Sequence, residues 1–216
     1  MNQEYKNKWN NYKIGDIEWI NSRRDMLYRK KFIEYIKNSN ISTILEIGPG
    51  EFIEGRVIIE EMPNIKYSVM DISNTFLEYC RSIERLKCYE GEMCKTPFLD
   101  KQFDVVYVSS VLEHSPYITK TINEFSRISK CFYFNMFKWN YKNGDLISIY
   151  IDKKKYFSTA FNIEMLLDLI KSMGIIDQCF VCNDSMIDDF NTYIEKNNHT
   201  GEHRGNGYLS IVGRWK

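Results

Sequence analysis

Residues 43–50, Thr43-Ile44-Leu45-Glu46-Ile47-Gly48-Pro49-Gly50, constrain this chain more than any other stretch. Ile44, Leu45 and Ile47 are apolar and mostly β-branched, the composition of a strand buried on both faces. The run breaks into Gly-Pro-Gly. From Glu54 to Glu61 it then carries Val57, Ile58 and Ile59 with helical character. Strand, glycine turn and helix together open a nucleotide-binding βαβ unit. The glycines let backbone approach a ligand because no Cβ stands in the way. The helix N-terminus behind them offers unbonded N–H groups to negative charge.

The next segments extend the pattern. Strand-like Tyr67-Ser68-Val69-Met70 ends in Asp71, an acidic residue about 20 positions past the turn, where a carboxylate accepts both hydroxyls of a ribose. Gly91-Glu92 closes a third strand near Leu86 to Glu90. A fourth strand, Phe103-Asp104-Val105-Val106-Tyr107-Val108, runs into Ser109-Ser110-Val111-Leu112-Glu113-His114.

In this order the chain resembles the class I S-adenosylmethionine-dependent methyltransferases of the small, soluble type. The likeness runs from about Ile41 to Lys130. It rests on L-E-I-G-x-G, an acidic residue after strand two, G-[DE] after strand three and F-D-x-V at strand four. The resemblance implies an α/β fold with a Rossmann-like, doubly wound, mostly parallel sheet of seven strands, an antiparallel last strand and an N-terminal helical lid. It implies S-adenosyl-L-methionine as cofactor. Glu46 would engage the methionine end, directly or through the turn, and the backbone of Gly48, Pro49 and Gly50 would cradle it. Asp71 would take the ribose, Ile72 would pack on the adenine, and Glu92 with the Met93 backbone would read the adenine amino edge. Ser109, ending strand four, completes the cofactor set. One departure stands out: Phe52 occupies the place of the family's third glycine, so its side chain must point away from the cofactor or pack over it.

His114 is the candidate catalytic base, with a loop-anchoring histidine as the other reading. Leu112-Glu113-His114-Ser115-Pro116 is similar to the corresponding stretch of many O-methyltransferases in this family. One branch, including ubiquinone-biosynthesis and small-RNA 2′-O-methyltransferases, builds a metal site on E-x-x-E-H. Ser110 replaces the first glutamate here, so no metal is expected. Cys179-x-x-Cys182 has no second pair to complete a site and reads as buried apolar cysteine.

The length, 216 residues with 44% hydrophobic, suits a single domain over 1–216. Lysine plus arginine equal aspartate plus glutamate at 29 each, which counts against a nucleic-acid footprint. No apolar run reaches the ~18 residues of a membrane span, and Met1 to Asn11 does not read as a signal peptide. A cytoplasmic location is expected, with no membrane and no nucleic acid as partner, and with six reduced cysteines. Nothing in the residues indicates an oligomeric state.

Residues 1–40 read as an arm and a long amphipathic helix from Ile17 to about Asn38. The aromatic stripe Tyr5, Trp9 and Tyr12 either lies over the cleft or docks on the sheet, and the two are compatible. Residues 138–159 read as an inserted hairpin whose tip, Lys153-Lys154-Lys155, is solvated. A helix from Asn162 to Met173, a strand near Ile175 to Cys182, a helix from Asp184 or Ser185 to about Lys196, a loop over 197–206 and a last strand from Tyr208 to Trp215 follow. Ligands of open parallel sheets bind at the carboxyl ends of the strands. The hairpin and the 197–206 loop therefore flank the substrate, with Tyr12, Trp139, Tyr141, His203 and Arg204 as its candidate contacts and His199 beside them.

The expected function is transfer of a methyl group to a small polar acceptor, anionic or sugar-like, at oxygen rather than nitrogen because of His114. Two other readings stay open: a nucleic-acid methyltransferase, and a non-catalytic binding protein on the same fold.

Overall fold

A computed structural model describes residues 3–140, 147–151, 157–183, 186–197 and 202–216. Its centre is the predicted strand β1, Thr43–Ile47. β2, Lys66–Asp71, lies parallel on one side and β4, Phe103–Ser109, parallel on the other. β3, Lys87–Glu90, adds outside β2, and β5, Ser129–Asn140, adds outside β4, both parallel. The last strand, β10 (Glu202–Trp215), is antiparallel to β5 and to β8 (Gly174–Cys182), so β8 again runs with β1.

This is the expected mostly parallel sheet with an antiparallel final strand, but seven strands is an undercount. The order β3-β2-β1-β4-β5-β10-β8-β9 contains eight. β9, Ile187–Asp189, folds back on Phe180 to Cys182. Asn183 makes the reversal: its N–H donates to the Met186 carbonyl at 3.0 Å, and its Oδ1 accepts from the Met186 N–H at 2.8 Å. The helix expected from Asp184 or Ser185 accordingly starts later, as α8, Phe190–Asn197. Asp189 Oδ1 accepts from the Asn191 N–H at 3.0 Å at its start. The inserted hairpin is β6 (Ile147–Ile151) with β7 (Phe157–Asn162), and β7 pairs with the end of β5 at Trp139 and Asn140. Tyr141, Lys153 to Lys155 and His199 lie outside the described residues.

Both faces of the sheet are buried, as the alternation along β1 and β4 requires. Ile44, Val105 and Tyr107 face α3 (Leu27–Lys37), α4 (Ile53–Glu61) and α5 (Asn74–Arg81) through Phe32, Ile58 and Leu77. Leu45, Val106 and Val108 face α6 (Ile118–Ile128) and α7 (Ile163–Met173) through Ile122, Phe125 and Leu166. Asn162 caps α7, its side chain accepting from the Met165 N–H at 3.3 Å.

The single helix expected over 17–38 is two. α2, Ile17–Arg24, stops, Met26 takes an extended backbone with ψ 133°, and α3 begins. The break has a geometric consequence. Residues 23 and 28 of one straight helix would point about 140° apart at 100° per residue; here Arg23 and Tyr28 line the same cavity. A further helix, α1 (Gln3–Asn10), precedes them. No helix among the described residues is long and apolar enough to cross a membrane.

Candidate active site

The carboxyl ends of β1, β2 and β4 open into a cavity of about 370 Å³, within the size range of small-molecule sites. Its floor is the glycine turn. Gly48 has φ +65°, and its N–H donates to the Met70 carbonyl at 2.8 Å. A Cβ there would meet Val111 at 2.5 Å. Gly50 has φ +51° with no atom within 4 Å of its would-be Cβ, so its bare backbone is open to a ligand.

Phe52 keeps the backbone conformation of a glycine without being one. Its φ and ψ are 52° and 46°, the left-handed region. Its ring turns into the core, fully buried, edge-on to Tyr67 at 5.1 Å, and is absent from the cavity wall. Gly55 makes room for it: a Cβ on Gly55 would fall 1.9 Å from the ring.

Asp71 lies on the cavity wall at the end of β2, and its Oδ1 accepts from the Ser73 N–H at 2.7 Å. Desolvation pushes its carboxyl up to about 7, against the opposing effect of the Ser73 and Ile72 N–H groups. Ile72, Gly91 and Met93 continue the wall, and Ser109 lies on it at the end of β4. Glu92 does not line the cavity. Its backbone bridges to Lys95, and the Cys94 thiol approaches its carboxylate at 3.9 Å.

Glu46 also lines the cavity but is nearly sealed, 2% exposed, and accepts from the Tyr67 hydroxyl at 3.0 Å. Burial, with nearby Glu54, holds its carboxyl well above the ordinary range. Glu54 is equally buried. It forms an ion pair with Arg29 and accepts from the Tyr107 hydroxyl at 2.7 Å. These contacts were not foreseen. The signal available in the sequence was Glu54 four residues before Ile58, a carboxylate on the buried stripe of α4.

His114 closes a short 3-10 turn, Leu112–His114, and lies on the cavity wall. Fully buried Glu113 anchors this turn to β5 by accepting from the Phe137 N–H at 2.8 Å. The arm covers this end. Trp9 meets His114 edge-on with centroids 5.0 Å apart, and Tyr12 packs on Phe76 at 5.4 Å. The Trp9 carbonyl accepts from the Ser73 hydroxyl at 3.0 Å, and the Asn10 Oδ1 accepts from the Asn74 N–H at 2.8 Å.

Of the other expected substrate contacts, Trp139 does not line the cavity. Trp139 is a core residue, 0% exposed, packed on Phe190 and Tyr193 with centroids about 6 Å away. His203 and Arg204 are in β10 rather than in a loop, paired with Trp139 and Lys138, because β10 extends as far as β5 does. On this side the wall is instead Arg23, Tyr28, Arg29 and Phe137. Cys179 is half-buried and Cys182 buried, and burial pushes both thiols up to about 12. No cluster of metal-ligating side chains occurs among the described residues.

Residues 45–131 match the family model described as a methyltransferase domain. A comparison with curated proteins finds no match. Solved structures share the fold at low identity. The PH0226 protein of Pyrococcus horikoshii OT3 is 14% identical, with TM-score 0.66 over 100% of both chains. The 1,6-didemethyltoxoflavin-N1-methyltransferase of Burkholderia thailandensis, solved with its 1,6-didemethyltoxoflavin and S-adenosylhomocysteine, is 11% identical. Its TM-score is 0.63 over 92% of this chain and 83% of that one. A chain from a Haloferax volcanii complex that contains the Trm112 methyltransferase activator is 14% identical, with TM-score 0.66 over 91% and 92%. Residues 45–131 are thus similar to a methyltransferase domain, and the chain shares the fold of these solved structures.

Proposed function

We propose that the chain transfers the methyl group of S-adenosylmethionine to a small polar acceptor held in the cavity beneath the N-terminal arm. The observation that carries this reading is one cavity that joins the open backbone of Gly50, the Asp71 carboxylate and His114 under the cover of Trp9. Gly48, Pro49 and Gly50 cradle the methionine end, Asp71 accepts from the ribose hydroxyls, and Ile72 and Met93 pack on the adenine. Glu46, buried below the turn, supports it from behind. The arm acts as the lid over the site, Tyr12 included.

The reaction is an in-line displacement. Bound there, S-adenosylmethionine would supply an electrophilic methyl carbon to the acceptor's lone pair, its carbon–sulfur bond being the one that breaks and its sulfur the leaving group. The acceptor's proton passes to His114, the base an oxygen nucleophile calls for. The Burkholderia protein of similar fold is by its name an N1-methyltransferase, so nitrogen acceptors belong in any screen. The half-enclosed cavity under an aromatic arm favours a small molecule over a nucleic acid. Phe52, the one residue that favoured a non-catalytic protein, turns its ring away from the cavity.

The test is calorimetric titration with S-adenosylhomocysteine, for the protein and for Asp71→Ala, followed by a screen for methyl acceptance from labelled cofactor. Micromolar binding that the variant loses, with label transferred to a metabolite, is the expected outcome. Absence of binding by the unaltered protein overturns the reading.

A further inference from the structure

β4 leaves the sheet through a turn that interlocks with the glycine turn. The parallel register of β1 and β4 ends with Ile47 beside Val108, so Gly48 and Ser109 follow as neighbours. Val111 then lies against Gly48, where a Cβ would fall 2.5 Å from its side chain. Between Ser109 and Val111, Ser110 has φ +57°, the left-handed region that glycine, asparagine and aspartate enter more readily than serine. The Ser110 N–H donates to the Asn135 carbonyl at 2.9 Å. Asn135 is itself held: its Nδ2 donates to the Tyr107 hydroxyl at 3.2 Å, and its Oδ1 accepts from Ser210 at 2.6 Å.

Four non-glycine residues have positive φ among the described residues. Phe52 fills the core, Arg85 donates to the Ile59 carbonyl at 3.0 Å, and Lys101 donates to the Ser126 carbonyl at 2.8 Å. Each of these side chains has a structural task. The Ser110 hydroxyl makes no hydrogen bond among the described residues, and Ser110 is half-buried on the cavity wall. Strained backbone of this kind collects at functional sites. Its effect here is visible in the wall. Consecutive residues of an extended strand point to opposite faces, yet Ser109, Ser110 and Val111 all line the cavity, with His114 at the end of the same turn.

We propose that the Ser110 hydroxyl holds the acceptor's nucleophilic oxygen in line with the methyl group. This rests on the methyltransferase reading and names the residue that orients the acceptor. A serine hydroxyl can donate a hydrogen bond as well as accept. Donating to the acceptor oxygen, it occupies one lone pair, while the acceptor's own O–H points at His114. The lone pair left over is the nucleophile, and its direction is fixed. The oxygen–carbon bond forms as the carbon–sulfur bond breaks, the acceptor's proton goes to His114, and Ser110 exchanges no atom.

Sinefungin tests this without knowledge of the acceptor. It carries a primary amine where S-adenosylmethionine carries its methyl, so it sets a protonated donor at the mouth of the acceptor site, for the Ser110 oxygen to accept. Sinefungin and S-adenosylhomocysteine are titrated calorimetrically into the protein, Ser110→Ala, Ser110→Gly and Ser109→Ala. The unaltered protein should bind sinefungin at least about tenfold tighter than S-adenosylhomocysteine, as a hydrogen bond to a charged group requires. Both Ser110 variants should lose that preference, and Ser109→Ala should keep it. S-adenosylhomocysteine affinity stays within about twofold in both Ser110 variants. Ser110→Gly also relieves the left-handed serine, so its melting temperature holds or rises by up to about 4 °C, and its lost preference is not lost folding. A preference that survives in both Ser110 variants, that disappears only in Ser109→Ala, or that is missing from the unaltered protein overturns the proposal. With S-adenosylhomocysteine still bound, each of those results leaves the methyltransferase reading standing. Failure of the unaltered protein to bind either ligand removes both.

Discussion

Trp9 sets its indole edge-on against the imidazole of His114, 5.0 Å between centroids and 68° between planes. An aromatic from the arm thus covers the candidate base, and the same residue's carbonyl is bound by Ser73 at the start of α5. Cover and anchorage are in one residue, so the arm cannot lift without exposing the imidazole. Asn10 adds the second latch through the Asn74 N–H. Asn10→Ala removes one hydrogen bond worth about 1 kcal/mol. S-adenosylhomocysteine affinity should drop roughly fivefold, with faster amide exchange over residues 3–10. Unchanged exchange there would mean that the arm is held by something other than these contacts.

His114→Ala separates base from anchor. Loss of a general base slows turnover by about 10²–10⁴ and leaves cofactor binding alone. Loss of an anchor lowers the melting temperature and weakens cofactor binding with turnover. The prediction is the first pattern, read from turnover with a hydroxyl acceptor beside a calorimetric titration. Nitrogen acceptors should lose less, because placement of the neutral amine can suffice.

Asp71 gives the site a pH dependence with a definite sign. Desolvation raises its carboxyl to about 7 in the free protein, so near neutrality it is partly protonated. Ribose hydroxyls donate to the ionised form and favour it. Binding therefore releases a proton below pH 7, and S-adenosylhomocysteine affinity falls as the pH drops, approaching about tenfold per unit. Above about pH 7 the profile levels. Asp71→Asn should bind more weakly with a flat profile, and an unchanged slope in that variant would assign the dependence to another group.

Phe52 and Gly55 form a pair in which each residue explains the other. Phe52→Ala empties a fully buried site and should cost about 3–5 kcal/mol. Phe52→Gly should cost about 1 kcal/mol less, reversing the usual order of alanine and glycine, because the backbone is left-handed there. Gly55→Ala forces a methyl onto the ring and should cost about 1–3 kcal/mol. In Phe52→Ala the same change should be nearly free. Denaturant melts of the four variants measure the coupling, and additive costs would show that the ring moves aside.

The strands around the turn were legible because burial on both faces leaves an apolar run bounded by glycine and acidic residues, as at Ile44 to Gly50 and Tyr67 to Asp71. Asp71, Met93 and His114, singled out by their places after the second, third and fourth strands together with the family resemblance, line the cavity. Residues that depend on where distant segments meet were not legible. Arg23 and Tyr28 reach the cavity only through a break at Asp25 and Met26 that no proline or glycine announces. Trp139 has the composition of a ligand platform, yet Phe190 and Tyr193, more than 50 positions later, close over it. His203 and Arg204 sit among polar turn residues in the sequence, and long-range pairing with β5 draws their backbone into the sheet.

Glu54 and Arg29 tie the glycine-turn helix to α3 through a buried ion pair. The pair continues through the Tyr107 hydroxyl to Asn135, whose Nδ2 donates to it at 3.2 Å, and to Ser210, which donates to Asn135 Oδ1 at 2.6 Å. Glu54→Gln leaves the Arg29 charge buried without its counterion, and Arg29→Met leaves the carboxylate so; each should cost about 3–5 kcal/mol. At roughly 2–4 °C per kcal/mol for a chain of this size, melting temperatures fall by about 6–20 °C. The double variant removes both charges and should lie closer to the unaltered protein than either single one, with the Tyr107 hydroxyl still bonded to the amide oxygen of Gln. The fit of α4 against α3 then survives, and with it S-adenosylhomocysteine binding within about twofold. If the two costs add, the two side chains are not each other's counterion, and the support of the glycine turn must come from packing at Ile58 and Phe32 instead.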